Sequence, residues 1–171
     1  MIEPAWIAEA RKHIGQAEVP GKGSNPFIAS LWIGARSVFD VLGADDSSAP
    51  WCGQFVAHCL RTAGLPVVKD TYRAKAWLDC GIALPTALYG CIVVYTRIGG
   101  GHVGFVVGRD GGGRLLTLGG NQGDRQGDRV SIAPFDPARV AGYRWPGLAM
   151  PVLGPLPQLA ANGMPSSTNE A

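Results

Sequence analysis

The sequence predicts an α+β domain, with N-terminal helices packed on an antiparallel β-sheet. Before Gly90 the apolar residues recur at helical spacing, and after it they gather in β-branched runs separated by glycine-rich turns. Helices first and strands second is the order of segregated layers, not of alternating βαβ units. The 171 residues are 46% hydrophobic and 16% charged, with 25 Gly and 13 Pro, which describes one ordinary domain rich in turns and excludes a disordered chain.

Each element has its own signal. Between residues 5 and 14, Trp6, Ile7, Ala10 and Ile14 mark an amphipathic helix that Gly15 closes, with His13 in its last turn, where an imidazolium complements the helix dipole. Residues 20–25 are turn-forming, and Pro26 opens a short helix carrying Phe27, Ile28, Leu31 and Trp32. Residues 45–50 form a loop, where Asp45 and Asp46 read as a solvated turn or helix cap rather than a calcium site. Residues 52–63 give the clearest helix, with Phe55, Val56, Cys59 and Leu60 on one face, His58 open to solvent, and Gly64 and Pro66 as its stop. A shorter helix carries Ala74, Trp77 and Leu78 before Gly81. A meander of strands is expected at 91–96, 102–107, 114–118, 129–132 and 140–145, with turns at 99–101, 110–113 and 119–128. Residues 1–146 make the single domain, and the Pro-rich, then small and polar stretch 147–171 reads as a flexible tail.

Fifteen basic and thirteen acidic residues are interspersed, so no basic stripe argues for nucleic acid. The opening Met1-Ile2-Glu3-Pro4 lacks the pattern of a secretory signal, and five prolines interrupt the longest uncharged stretch, so no membrane anchor is expected. Cys52, Cys59, Cys80 and Cys91 lack the density of a secreted scaffold and read as thiols of a reducing compartment. No C-x-x-C or paired-histidine spacing occurs, so no metal is assigned; the glycine-rich segments lack a Lys-Ser/Thr ending, so no nucleotide or other cofactor is expected.

Three residues could carry chemistry. Cys52 opens the clearest helix, where unpaired amides and the positive end of the dipole would favour a thiolate. His102 follows Gly99-Gly100-Gly101, which leave room for a ligand beside an imidazole. Asn121, after Gly119-Gly120, could hydrogen-bond that ring and fix its tautomer. The separations are 50 and 19 residues, the second suiting adjacent strands. Each also has a structural reading: a small buried hydrophobe for Cys52, a satisfied strand histidine for His102 and turn chemistry for Asn121. Trp51 and Gly101, by adjacency, are candidate walls of a substrate groove.

The segments Pro50-Trp51-Cys52-Gly53-Gln54-Phe55-Val56, Gly90-Cys91-Ile92-Val93-Val94, Gly101-His102-Val103-Gly104-Phe105-Val106, Leu118-Gly119-Gly120-Asn121-Gln122 and Gly142-Tyr143-Arg144-Trp145-Pro146 together resemble the NlpC-type and CHAP superfamily of papain-like cell-wall hydrolases, in its phage and prophage endolysin-like branch. The resemblance covers residues 4–146 and departs at Cys91, where that superfamily commonly has an acidic residue. It implies a papain-like fold and a peptidoglycan-cleaving cysteine amidase or endopeptidase, with Cys52 as nucleophile, His102 as general base and then acid, and Asn121 orienting the imidazole. It implies synthesis in the cytoplasm, action at the bacterial wall or periplasm, and peptidoglycan as partner; a monomer is the default. Three rivals share the scaffold: a non-catalytic wall or phage-structure binding module, an exported antibacterial effector with an immunity protein in place of a holin system, and an acyl transferase.

Overall fold

The computed structural model describes residues 3–21, 23–124, 127–149 and 154–160. Helix α1 (Ala5–Lys12) buries Trp6, Ile7 and Ala10, as the spacing predicts, but it ends before Ile14, which is exposed. Helix α2 (Pro26–Ser30) begins at a proline, whose missing N–H would have had no partner there, and Asn25 caps it by accepting from the Phe27 amide at 2.8 Å. Helix α3 (Arg36–Val41) was not anticipated, because it buries only Phe39, which stacks on Trp32 at 5.2 Å, and one anchor leaves no periodicity to read. Helix α4 (Cys52–Thr62) buries all six residues from Cys52 to Ala57 as well as Cys59 and Leu60, which makes it the central helix of the core. The short helix over Ala74–Asp79 is of the tighter 3-10 kind.

Six strands form one antiparallel sheet: β1 (Ile82–Leu84), β2 (Ile92–Arg97), β3 (Gly100–Arg109), β4 (Leu115–Asp124), β5 (Gly127–Phe135) and β6 (Val140–Trp145). Their order is β1-β6-β2-β3-β4-β5, so the meander expected from the sequence holds for β2 to β5, and β6 returns to the far side of β2. The expected turn over 119–128 is corrected: β4 runs to Asp124 and β5 begins at Gly127, with a register shift between Gly119 and Gln122. Glycines there signal close packing against α4, since a Cβ on Gly120 would lie 2.3 Å from the Trp51 ring. The strand β1 was missed because three residues are too few to show an alternation.

Alternation divides the sheet into two buried faces. Ile92, Val94, Val103, Phe105, Val107, Leu116 and Leu118 meet α1, α2 and α4 in the larger core. Val93, Tyr95, Val106 and Leu115 face a smaller cluster with Leu84, Leu88 and Cys91, against which Phe135 and Tyr143 pack. The outer edge of β5 is covered by the chain leaving α1, where the Gly15 amide donates to Val130 and the Val130 amide to Gln16. The expectation of a free tail differs from what residues 157–159 do: the Arg109 amide donates to Pro157 O and the Leu159 amide to Arg109 O, both at 2.8 Å, which adds a short parallel segment to β3. Residues 150–153 and 161–171 of that tail lie outside the described residues. No helix among the described residues is long and apolar enough to cross a membrane.

The acidic pair is also split. Asp45 is exposed and accepts from Ser47 and Ser48, whereas Asp46 is buried and ties two loops by accepting from the Val19 and Asn25 amides, contrary to a solvated turn. The packing makes one direct prediction: Gly120→Ala should lower unfolding free energy by about 1–3 kcal/mol in chemical denaturation. Gly111→Ala, where nothing lies within 4 Å, should stay within about 0.5 kcal/mol of the unaltered chain.

Candidate functional site

Two close approaches hold the first turn of α4. On one side a Cβ on Gly53 would lie 2.1 Å from Thr71 O; that carbonyl accepts from Trp77 Nε1 at 3.0 Å, and Thr71 Oγ1 donates to Gln54 Oε1 at 2.8 Å. On the other side lies the bulge of β4, where Asn121 sits at φ +57°. Asn121 Oδ1 accepts from the Trp51 amide at 2.9 Å, and its Nδ2 donates to Asp128 Oδ2. Glu18 completes the ring, accepting from Trp51 Nε1 at 3.0 Å and from the Asp128 amide at 3.2 Å. These bonds fix the chain where it enters α4, immediately before the Cys52 thiol.

Cys52 borders an open groove of about 600 Å³, whose other walls are Pro50, the segment Tyr72–Lys75, Arg97 and the glycines 99–101. The groove is basic at its rim, with Arg73, Lys75 and Arg97 in its lining and no acidic side chain among them. Only 5% of Cys52 is exposed, and burial pushes its thiol pKa up, against backbone hydrogen bonding at Val103 and Gly53 and the charge of Arg97, which pull it down. The thiolate expected at a helix start is therefore corrected: desolvation outweighs the amides of the first turn, and the group is a neutral thiol.

His102 lies on the opposite face of the sheet. It pairs across the ladder with Tyr95 and so shares that residue's face, while its neighbour Val103 points into the core that contains Cys52. The imidazole is stacked parallel to Phe135 with ring centroids 5.0 Å apart, and Tyr95 stacks on the same Phe135 ring at 4.6 Å. Burial, aided by the charges of Arg97 and Arg139, pushes its pKa down to about 4, and its Nε2 is buried without a hydrogen-bond partner. At neutral pH the ring is uncharged.

The structure thus brings Cys52 and Gly101 to one groove and sets Asn121 against the backbone that leads into Cys52, and it turns His102 away from them. The expected bond from Asn121 to the imidazole is replaced by bonds to Trp51 and Asp128. Trp51 is no groove wall: it is fully buried, locked between Glu18 and Gly120. The basic rim is not marked in the sequence, where Tyr72-Arg73 lead into the short helix, Lys75 lies in its first turn and Arg97 stands just before the glycine run. Cys59, Cys80 and Cys91 are free and buried, and burial raises each thiol, Cys91 to about 12.

The buried imidazole sets a pH dependence. An unfolded chain protonates it near its ordinary value of 6.5, whereas the folded chain resists until about 4, so folding stability is fully present above 6.5 and declines as pH falls through that interval. The contribution is on the order of 3 kcal/mol. Thermal unfolding followed from neutral pH down to pH 4 should show that decline, and His102→Gln should flatten it.

No protein-family model matches the chain, and no curated protein matches it.

Proposed function

We propose that the chain is a cysteine hydrolase of the amide bonds in cell-wall peptides, with a papain-like fold and Cys52 as nucleophile. The observation that carries this reading is the position of Cys52, the first residue of a buried helix packed on an antiparallel sheet, opening onto a groove to which Gly101 adds no side chain. The segments around Cys52, His102 and Asn121 that resemble the NlpC-type and CHAP superfamily support it. So does the basic rim, since Arg73, Lys75 and Arg97 suit a peptide bearing carboxylates, as the stem peptides of peptidoglycan do.

In this mechanism the Cys52 sulfur, once deprotonated, attacks the amide carbonyl carbon and forms a C–S bond. Amides of the first turn of α4 stabilise the developing oxyanion, the tetrahedral adduct expels the amine with a proton, and water then hydrolyses the thioester and restores the thiol. A base must receive the thiol proton, and the reading gives this to His102, which has to leave the Tyr95 and Phe135 stack for the Cys52 face. The strand carries His102 and the core residue Val103 on opposite faces, so that move has to be a local change of backbone beside glycines 99–101 that leaves Val103 in the core. Asn121 acts in this scheme through the backbone at Trp51, as a positioning residue.

A second reading, a wall-binding module without catalysis, is favoured by the neutral thiol and by the imidazole on the far face. Purified peptidoglycan separates the two. The hydrolase reading expects soluble fragments, identified by mass, from the unaltered chain and none from Cys52→Ala, with His102→Ala slower by about 10²–10⁴-fold. Binding to the wall without cleavage would establish the module, and equal cleavage by Cys52→Ala would remove the nucleophile. With a soluble acidic peptide substrate, Arg73→Gln combined with Lys75→Gln should raise KM several-fold and leave kcat nearly unchanged.

A further inference from the structure

The groove makes no use of the other two histidines, which the fold brings together from positions 45 residues apart. Glu9 lies on α1, His13 caps that helix one turn further on, and His58 projects from α4. Three atoms converge: His13 Nε2 lies 3.0 Å from Glu9 Oε1, His58 Nε2 lies 3.4 Å from the same oxygen, and the two Nε2 atoms are 3.3 Å apart.

Hydrogen bonds cannot fill all three edges of this triangle at once. Glu9 Oε1 only accepts, so bonds along both of its edges require both Nε2 atoms to carry hydrogens, which leaves the 3.3 Å edge between them with two donors and no acceptor. If instead one Nε2 donates to the other, the acceptor ring directs a lone pair at the carboxylate oxygen. One point shared by three lone pairs is what a cation resolves. Tetrahedral zinc, with arms of about 2.0–2.1 Å, has ligand atoms separated by about 3.3 Å, close to the edges of 3.0, 3.4 and 3.3 Å here.

The surroundings hold the donors in place. Phe27 stacks on the His13 ring at 4.1 Å and meets the His58 ring edge-on at 5.5 Å. The Glu9 and His13 side chains are 12% and 19% exposed and that of His58 31%, so a fourth position is open to water from the His58 side. Lys12 Nζ takes Glu9 Oε2 at 2.7 Å and leaves Oε1 to face the two imidazoles.

We infer that Glu9, His13 and His58 bind a divalent transition ion of the zinc class through one carboxylate oxygen and two imidazole nitrogens, with water as fourth ligand, joining α1 to α4. Imidazole and carboxylate donors suit such an ion. The site lies outside the Cys52 groove, and the inference does not depend on the hydrolase reading.

The test is calorimetric titration of the metal-stripped full chain with Zn²⁺ at neutral pH, alongside thermal unfolding. One saturable equivalent and a raised Tm are expected; His13→Gln and His58→Gln should each lose at least about tenfold in affinity, while Cys52→Ala binds as the unaltered chain does. Absence of saturable binding, or undiminished binding in both histidine variants, overturns the inference. Should either variant fail to fold by circular dichroism, the Co²⁺ spectrum of the unaltered chain decides. Tetrahedral d–d bands without a thiolate charge-transfer band uphold the site, and a thiolate band, or a spectrum of free aqueous Co²⁺, overturns it.

Discussion

The first turn of α4 is held between two stretches of backbone that only glycine lets so near. Gly53 admits the Thr71 carbonyl and Gly120 admits the Trp51 ring, so the helix start is fixed by steric contact on both sides before any hydrogen bond is counted. The ring of Trp51, Asn121, Asp128 and Glu18 then satisfies the polar groups that this burial would otherwise strand. The central helix, the bulge in β4 and the chain leaving α1 therefore depend on one another. The position of Cys52 is a result of that mutual constraint.

The same sheet that carries this helix separates the two groups most suited to acid–base and nucleophilic work. A strand gives successive residues to opposite faces, and with Val103 in the core, His102 stands in the Phe135 stack. Both groups are uncharged for the same reason, loss of water, which raises a thiol and lowers an imidazole. In chemical terms both groups stand in their less reactive forms, a thiol and a neutral imidazole.

Much of the fold was legible because apolar periodicity is a local property. The helix from Cys52, the 3-10 turn around Trp77 and the strands around Val94, Phe105 and Tyr143 all stand where the pattern puts them. What escaped was set by contacts distant in sequence. The glycines near Asn121 read as a turn because nothing local shows Trp51 filling the space above them, and α3 rests on Phe39 alone. At the candidate site the residue types were legible and their facing was not: whether Gly101, His102 or Val103 looks at the thiol depends on hairpin register, which a run of three glycines leaves unspecified. The approach of His13 to His58 was invisible for the same reason, since it arises from helix packing.

The segment at 157–159 completes the hydrogen bonding of one strand end. Strand β3 continues past its last rung with β2, at Phe105, and the backbone of Arg109 would otherwise offer an unsatisfied amide and carbonyl beside Gly108, where no side chain shields them. Pro157 and Leu159 occupy those two groups. A chain shortened to end at Pro146 would carry a bare strand end beside an apolar cluster, a template to which another copy could add its own strand. Residues 157–159 thus satisfy that strand end within the chain itself.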